Sequence, residues 1–119
     1  MSTVLIVDDD ADIRTMLGIM LQTRGYESKV TANGRDALAE LHGGLRPSLI
    51  LLDLMMPIMN GWDFLAAVKQ EDESIRHIPI VILTGYGSMV GNDPIPGTVA
   101  VLHKPLELQE LFALLQRYC

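Results

Sequence analysis

Cysteine is almost missing from this 119-residue chain. The only one is the last residue, so no internal disulfide can form and a reducing compartment is expected. No apolar run approaches the roughly 18 residues needed to span a bilayer. The N-terminus has no basic region followed by an apolar stretch, so no signal peptide is expected and a cytoplasmic protein is. Basic residues are in deficit, with nine Lys+Arg against fifteen Asp+Glu and a net charge of −6. That balance argues against direct binding along a nucleic-acid backbone. Repeats, low-complexity tracts and interdomain linkers are also missing, so residues 1–119 are expected to form one domain. What remains is 49% hydrophobic and 20% charged, an ordinary globular composition. A chain of this length buries a core without staples.

Four short apolar runs stand out: Val4-Leu5-Ile6-Val7, Leu49-Ile50-Leu51-Leu52, Ile80-Val81-Ile82-Leu83 and Val99-Ala100-Val101-Leu102. They do not alternate with polar residues, which suits strands buried on both faces of a parallel sheet. Glu27 to Ala32 is far more polar and reads as an edge strand. Between the runs lie helical patterns. Ile13, Met16, Leu17, Met20 and Leu21 form one apolar stripe, with Asp10 and Asp12 at its acidic start and Gly25 past its end. A second helix is expected from about Arg35 to His42, closed by Gly43-Gly44. A third is expected from about Trp62 to Gln70, with Phe64, Leu65 and Val68 inward and Trp62 as an anchor. The last begins near Glu107, with the stripe Leu108, Leu111, Phe112 and Leu115.

This alternation implies right-handed crossovers and an α/β, doubly wound, five-stranded parallel sheet. The usual order for five such strands is 2-1-3-4-5, which puts the polar strand at an edge. One crossover departs from the rule. Gly85 to Thr98 contains Gly85, Gly87, Gly91, Gly97, Pro94 and Pro96, so at most one short helical turn is expected between the fourth and fifth strands. Low local stability is expected there, which makes the segment a candidate moving element.

In such sheets ligands bind beyond the carboxyl ends of the strands, where strand order reverses. The first apolar run is followed by Asp8-Asp9-Asp10, the third strand by Asp53, the fourth by Thr84 and the fifth by His103-Lys104-Pro105. Carboxylates therefore converge beside a hydroxyl and an ammonium. Clustered carboxylates need compensation, and Mg²⁺ is the fitting cation for a site with few carboxylates and several waters. Such a site is arranged to receive a phosphoryl group. A carboxylate can itself be the nucleophile, and Asp53 is the candidate because it caps a central strand alone, leaving Asp8 and Asp9 to hold metal. The simpler reading of Asp8-Asp9-Asp10 as a helix cap suffices for Asp10 and Asp12, but leaves Asp53 and Lys104 unexplained. His42, His77 and His103 share no ligand spacing, and alternation turns His103 away from Lys104, toward the surface. Met55, Met56 and Met59 read as loop packing.

These residues carry a resemblance. Val4 to Asp10, Leu52-Asp53-Leu54-Met55-Met56-Pro57-Ile58-Met59-Asn60-Gly61, Leu83-Thr84-Gly85 and Lys104-Pro105 resemble the receiver domains of two-component response regulators, from Thr3 to about Gln116. The resemblance implies a flavodoxin-like receiver fold and a phosphoacceptor regulator that catalyses its own phosphotransfer and slow dephosphorylation. It implies that Asp53 accepts phosphate from a phosphohistidine on a sensor histidine kinase or histidine phosphotransfer protein. Asp8 and Asp9 become the acidic pair, Asp9 the more direct Mg²⁺ ligand, joined by Asp53 and the backbone carbonyl of Met55. Thr84 donates its hydroxyl to the phosphoryl group and Lys104 pairs with it. Pro57 and Gly61 shape the loop after the third strand, and the peptide before Pro105 is typically cis in this family.

The chain also departs from the family. Most receivers carry Tyr or Phe three residues before the lysine, where this chain has Val101. That change and the Gly/Pro-rich segment alter the usual output face without touching the acceptor chemistry. No output domain follows the last helix, so an unidentified protein target held noncovalently is expected. Two alternatives stay open. A phosphatase of the haloacid dehalogenase type would need Asp-x-Asp-x-Thr or Val, whereas Asp8-x-Asp10 is followed by Asp12. A phosphorylation-independent receiver-like binding module would need neither Asp53 nor Lys104. A flavodoxin is disfavoured because the acidic run would repel a flavin phosphate.

Overall fold

The computed structural model describes residues 2–85 and 95–119. Five parallel strands form one sheet: β1 Thr3–Val7, β2 Glu27–Thr31, β3 Leu49–Asp53, β4 Ile80–Thr84 and β5 Ala100–His103. Their order is β2-β1-β3-β4-β5, as expected from the sequence, with the polar β2 at an edge. Four of the five residues of β2 are exposed, whereas every residue of β3 and β4 is buried. The continuous apolar runs are thus the central strands, because only strands covered on both faces can bury successive side chains.

The helices are α1 Ala11–Thr23, α2 Gly34–His42, α3 Gly61–Lys69, α4 Glu73–Arg76 and α5 Leu108–Tyr118. Alternate residues of each strand feed two separate cores. On one face Leu5, Val7, Ile50, Leu52, Ile80 and Ile82 pack with Ala37 and Leu41 of α2 and Phe64, Leu65 and Val68 of α3. On the other, Val4, Ile6, Leu49, Leu51, Val81 and Leu83 pack with Leu17 and Leu21 of α1 and Leu111 and Leu115 of α5. Arg24, the C-cap of α1, lies 3.7 Å from the centre of the Phe112 ring and joins α1 to α5 by a cation–π contact.

Caps set the helix starts. Asp10 accepts from the amides of Asp12 and Ile13, Asn33 from Asp36, and Asn60 from Asp63. Gly25 and Gly44 follow the first two helices with φ of 84° and 107°.

Several local expectations are corrected. The four-residue α4 was not expected. Asp72 caps it through the Ser74 amide and hydroxyl, but only Ile75 is buried, too little for an apolar period to show. Trp62 is 46% exposed and is not part of the buried core, because the inward positions of α3 are Gly61, Phe64, Leu65 and Val68, and Trp62 falls to one side of that stripe. Met55 is exposed, while Met56 and Met59 do pack on the core. Leu108, the first residue of α5, keeps the stripe's period but is exposed. The expectation of at most one helical turn in Gly85–Thr98 falls mostly outside the described residues. Its described end is a turn in which Thr98 donates from its amide and hydroxyl to the Ile95 carbonyl.

Candidate functional site

The site lies at the carboxyl ends of β1, β3, β4 and β5. Parallel strands all end on the same side, so Asp8, Asp53, Thr84 and Lys104 arrive there without any long-range device. Asp8 follows β1 and is completely buried; Asp53 closes β3 and Thr84 closes β4, both nearly so. Asp9 is exposed, at the mouth. Oxygens of Asp8, Asp9 and Asp53 lie within 4.8 Å of one another.

Lys104 crosses this cluster. Its Nζ donates to Asp8 Oδ2 at 2.8 Å and stands 3.8 Å from Asp53 Oδ2. Its backbone amide donates to the Thr84 carbonyl at 2.7 Å, which ties the lysine to the end of β4. The Lys104-Pro105 peptide is cis. Burial alone would lower the Lys104 ammonium, but the hydrogen bond and charge of Asp8, with the charges of Asp53 and Asp10, hold it above its ordinary value.

Asp53 is the strained member of the cluster. Burial, then the charge of Asp8, pushes its carboxyl from 3.8 to about 6, against the opposing pull of Lys104 and the Met55 amide. Met55 donates that amide to Asp53 Oδ1 at 3.3 Å. One Asp53 oxygen is therefore held by the backbone of its own loop while the other faces the ammonium. Asp8 is more fully committed. Its amide donates to the Thr31 carbonyl, its Oδ1 accepts from the Asp10 amide, and its Oδ2 accepts from Lys104.

The loop from Leu54 to Asn60 is pressed onto the strand end. Gly61 donates its amide to the Leu54 carbonyl, and a Cβ on Gly61 would stand 2.6 Å from the Asp53 carbonyl oxygen and 2.7 Å from Leu54 Cα. Backbone cannot yield there without displacing Asp53. Gly61→Ala is therefore expected to destabilise the fold by roughly 3 kcal/mol, read as a lower urea midpoint at unchanged slope. A change below 0.5 kcal/mol would mean that the loop gives way freely. Ile58, one residue after Pro57, has φ of 70°, a conformation costly for a β-branched side chain.

Of the expected site residues, Asp8, Asp9, Asp53 and Lys104 come together here, Thr84 ends the adjacent strand, and Met55 reaches Asp53 through its backbone amide. Val101, at the expected aromatic position, pairs with Ile82 and packs against the core shared with α2 and α3. His103 is exposed, as alternation requires. One residue escaped the sequence reading: Arg14 of α1, whose Nη1 donates to the Asp8 carbonyl at 2.8 Å. Its neighbours in sequence gave no sign of this, because the bond is to backbone.

The donor set consists of hard oxygens with one ammonium beside them, the chemistry that holds a small divalent cation and an anionic ligand together. It offers no thiolate or imidazole. The chain is similar to known proteins over nearly its whole length. The family model of the response regulator receiver domain matches residues 4–116. Sporulation initiation phosphotransferase F of Bacillus subtilis (strain 168) is 34% identical over 117 residues, covering 97% of this chain and 91% of that protein. The DNA-binding response regulator MtrA of Mycolicibacterium paratuberculosis is 42% identical over 81 residues, 68% of this chain but 34% of MtrA, so the match spans about a third of that relative. Among solved structures, chemotaxis response regulator CheY4 of Vibrio cholerae superposes with a TM-score of 0.81 at 33% identity, over 100% of this chain and 99% of that one. Among the described residues no helix is long and apolar enough to cross a membrane.

Proposed function

The chain belongs to the response regulator receiver domains of two-component systems, and on that premise we propose that residues 1–119 act as one cytoplasmic phosphoacceptor switch with Asp53 as the acceptor. The observation that carries this reading is the position of Lys104 Nζ, 2.8 Å from Asp8 and 3.8 Å from Asp53, over the carboxyl edge of the sheet. The donor is a phosphohistidine of a sensor histidine kinase or histidine phosphotransfer protein. An Asp53 oxygen attacks phosphorus, the O–P bond forms as the P–N bond breaks, and the electron pair leaves with the imidazole nitrogen. With its carboxyl at about 6, Asp53 is ionised and nucleophilic at neutral pH.

Lys104 then neutralises the transferred group, and the Thr84 hydroxyl donates to it. The carboxylates of Asp8, Asp9 and Asp53 with the Met55 carbonyl would hold Mg²⁺, which supplies charge compensation for the phosphoryl oxygens. Both side-chain oxygens of Asp8 already have a partner, which fixes where that carboxylate points. The switch then signals to a protein target without catalysing turnover of a small molecule.

Incubation with radiolabelled acetyl phosphate and Mg²⁺ tests the reading. The wild type is expected to take up acid-stable, base-labile label, Asp53→Asn to take up none, and excess EDTA to suppress uptake at least tenfold. Asp9→Ala is expected to need more Mg²⁺ for the same rate. Undiminished labelling of Asp53→Asn, or full labelling in EDTA, would remove the acceptor or the metal assignment respectively. Absence of label on the wild type would favour the phosphorylation-independent binding module, which the Val101 substitution supports.

A further inference from the structure

Among the described residues, Arg14 is a cation bonded beside the acidic cluster whose role the acceptor chemistry leaves unexplained. It lies on the first turn of α1, half-buried, six residues beyond Asp8. Four acidic residues precede it closely in sequence: Asp8, Asp9, Asp10 and Asp12. Yet among the described residues its guanidinium pairs with none of them within 4.0 Å, and Nη1 instead donates to a backbone carbonyl, that of Asp8, at 2.8 Å. An arginine that passes over several carboxylates for a neutral acceptor is fulfilling a geometric need of that acceptor.

The need arises from the sheet. In a parallel ladder a residue donates to one residue of the neighbouring strand, and its carbonyl accepts from the residue two further on. Asp8 donates its amide to the Thr31 carbonyl, so the Asn33 amide would be the natural donor to the Asp8 carbonyl. But β2 ends at Thr31, and Asn33 has turned away to cap α2 through Asp36. The Asp8 carbonyl is thus the first acceptor left over where β1 and β2 part. Asp8 is completely buried, and an unmet carbonyl at such a residue would be costly. Arg14 supplies the donor that the departing strand withdraws.

That carbonyl belongs to the peptide joining Asp8 to Asp9. Fixing its plane fixes ψ of Asp8 and φ of Asp9 relative to one another, and so the angle between the two side chains that face Asp53. We propose that Arg14 is a positioning residue for the cation site: it sets the relative aim of the Asp8 and Asp9 carboxylates through their shared peptide, without touching cation or phosphoryl group. This rests on the metal assignment above and extends it to a residue outside the acidic pocket.

The sign of one measurement separates this role from a simple charge effect. Removing a positive charge beside an acidic site raises cation affinity by electrostatics alone. Loss of aim lowers it, and outer groups that orient metal ligands typically affect affinity by about 10–100-fold. Mg²⁺ binding is to be measured by calorimetry on the wild type, Arg14→Met and Arg14→Gln, with far-UV circular dichroism and urea unfolding in EDTA to establish that each is folded. The expected result is an affinity at least tenfold weaker in both variants while the proteins remain folded. An unchanged or tighter affinity in either folded variant would overturn the proposal. If the wild type itself binds no Mg²⁺, the metal assignment fails first, so the two failures are distinguishable.

Discussion

At pH 7.5 in EDTA, Asp53→Asn is expected to be more stable than the wild type by on the order of 3 kcal/mol, a rise in Tm of roughly 10 °C. The argument begins with the carboxyl at about 6, against 3.8 for an unhindered aspartate. Burial and the Asp8 charge make the ionised form costly in the folded protein only. The folded state therefore binds the Asp53 proton more tightly than the unfolded state does. Between about pH 4 and pH 6 the folded chain carries more protons, so the stability of the metal-free protein falls as pH rises through that window and then levels off. Each tenfold change in proton affinity is worth about 1.4 kcal/mol. Asparagine keeps an oxygen for the Met55 amide and carries no charge, so it escapes the penalty. The gain should fade on acidification and be nearly gone at pH 4. Thermal unfolding of both proteins across pH 4 to 8 checks this. A variant no more stable at pH 7.5, or equally favoured at pH 4, would show that Asp53 is not under electrostatic load. A cation bound beside Asp53 would relieve this load.

Most of this architecture could be read without coordinates, for a physical reason. Strands buried on both faces cannot hide polar residues, so Leu49–Leu52 and Ile80–Leu83 stand out as unbroken apolar runs, and the residues that end them are conspicuous. Asp53, Thr84 and Lys104 were therefore visible as strand ends, and parallel topology brought them together. Helix edges were less legible. Trp62 is one position off the inward stripe of α3, and hydrophobicity alone could not say so. Four residues of α4 bury only Ile75, which is no pattern at all. Least legible were contacts decided by fractions of an ångström. That Lys104 sits closer to Asp8 than to Asp53, and that Arg14 chooses a carbonyl over the carboxylates near it, follows from packed geometry and leaves no trace in residue spacing.

Lys104→Met is expected to act in the opposite direction from Asp53→Asn. Lys104 is mostly buried and its hydrogen-bond partner Asp8 is wholly so, which makes this a largely buried ion pair. Removing one partner of a buried pair leaves the other charge uncompensated, at a typical cost of about 3–5 kcal/mol. Here two carboxylates lose the same cation, since Asp53 also faces it. The loss should therefore be at least about 3 kcal/mol at pH 7.5 in EDTA. It should shrink as pH falls toward 5, because the Asp53 carboxyl, already raised to about 6, takes up its proton in the folded state and the repulsion weakens. It should shrink also with saturating Mg²⁺, which offers the acidic cluster a replacement charge. The variant is thus expected to gain more stability from Mg²⁺ than the wild type does, although its fold is weaker. Urea unfolding of both proteins at pH 5 and 7.5, with and without Mg²⁺, provides the comparison. A loss under 1 kcal/mol, or one that neither acid nor Mg²⁺ relieves, would mean that Lys104 holds the site by packing and not by charge. If the dependence appears, the ammonium and the divalent cation are partial substitutes in the resting site. Phosphorylation, which adds negative charge between them, would then be what makes both indispensable.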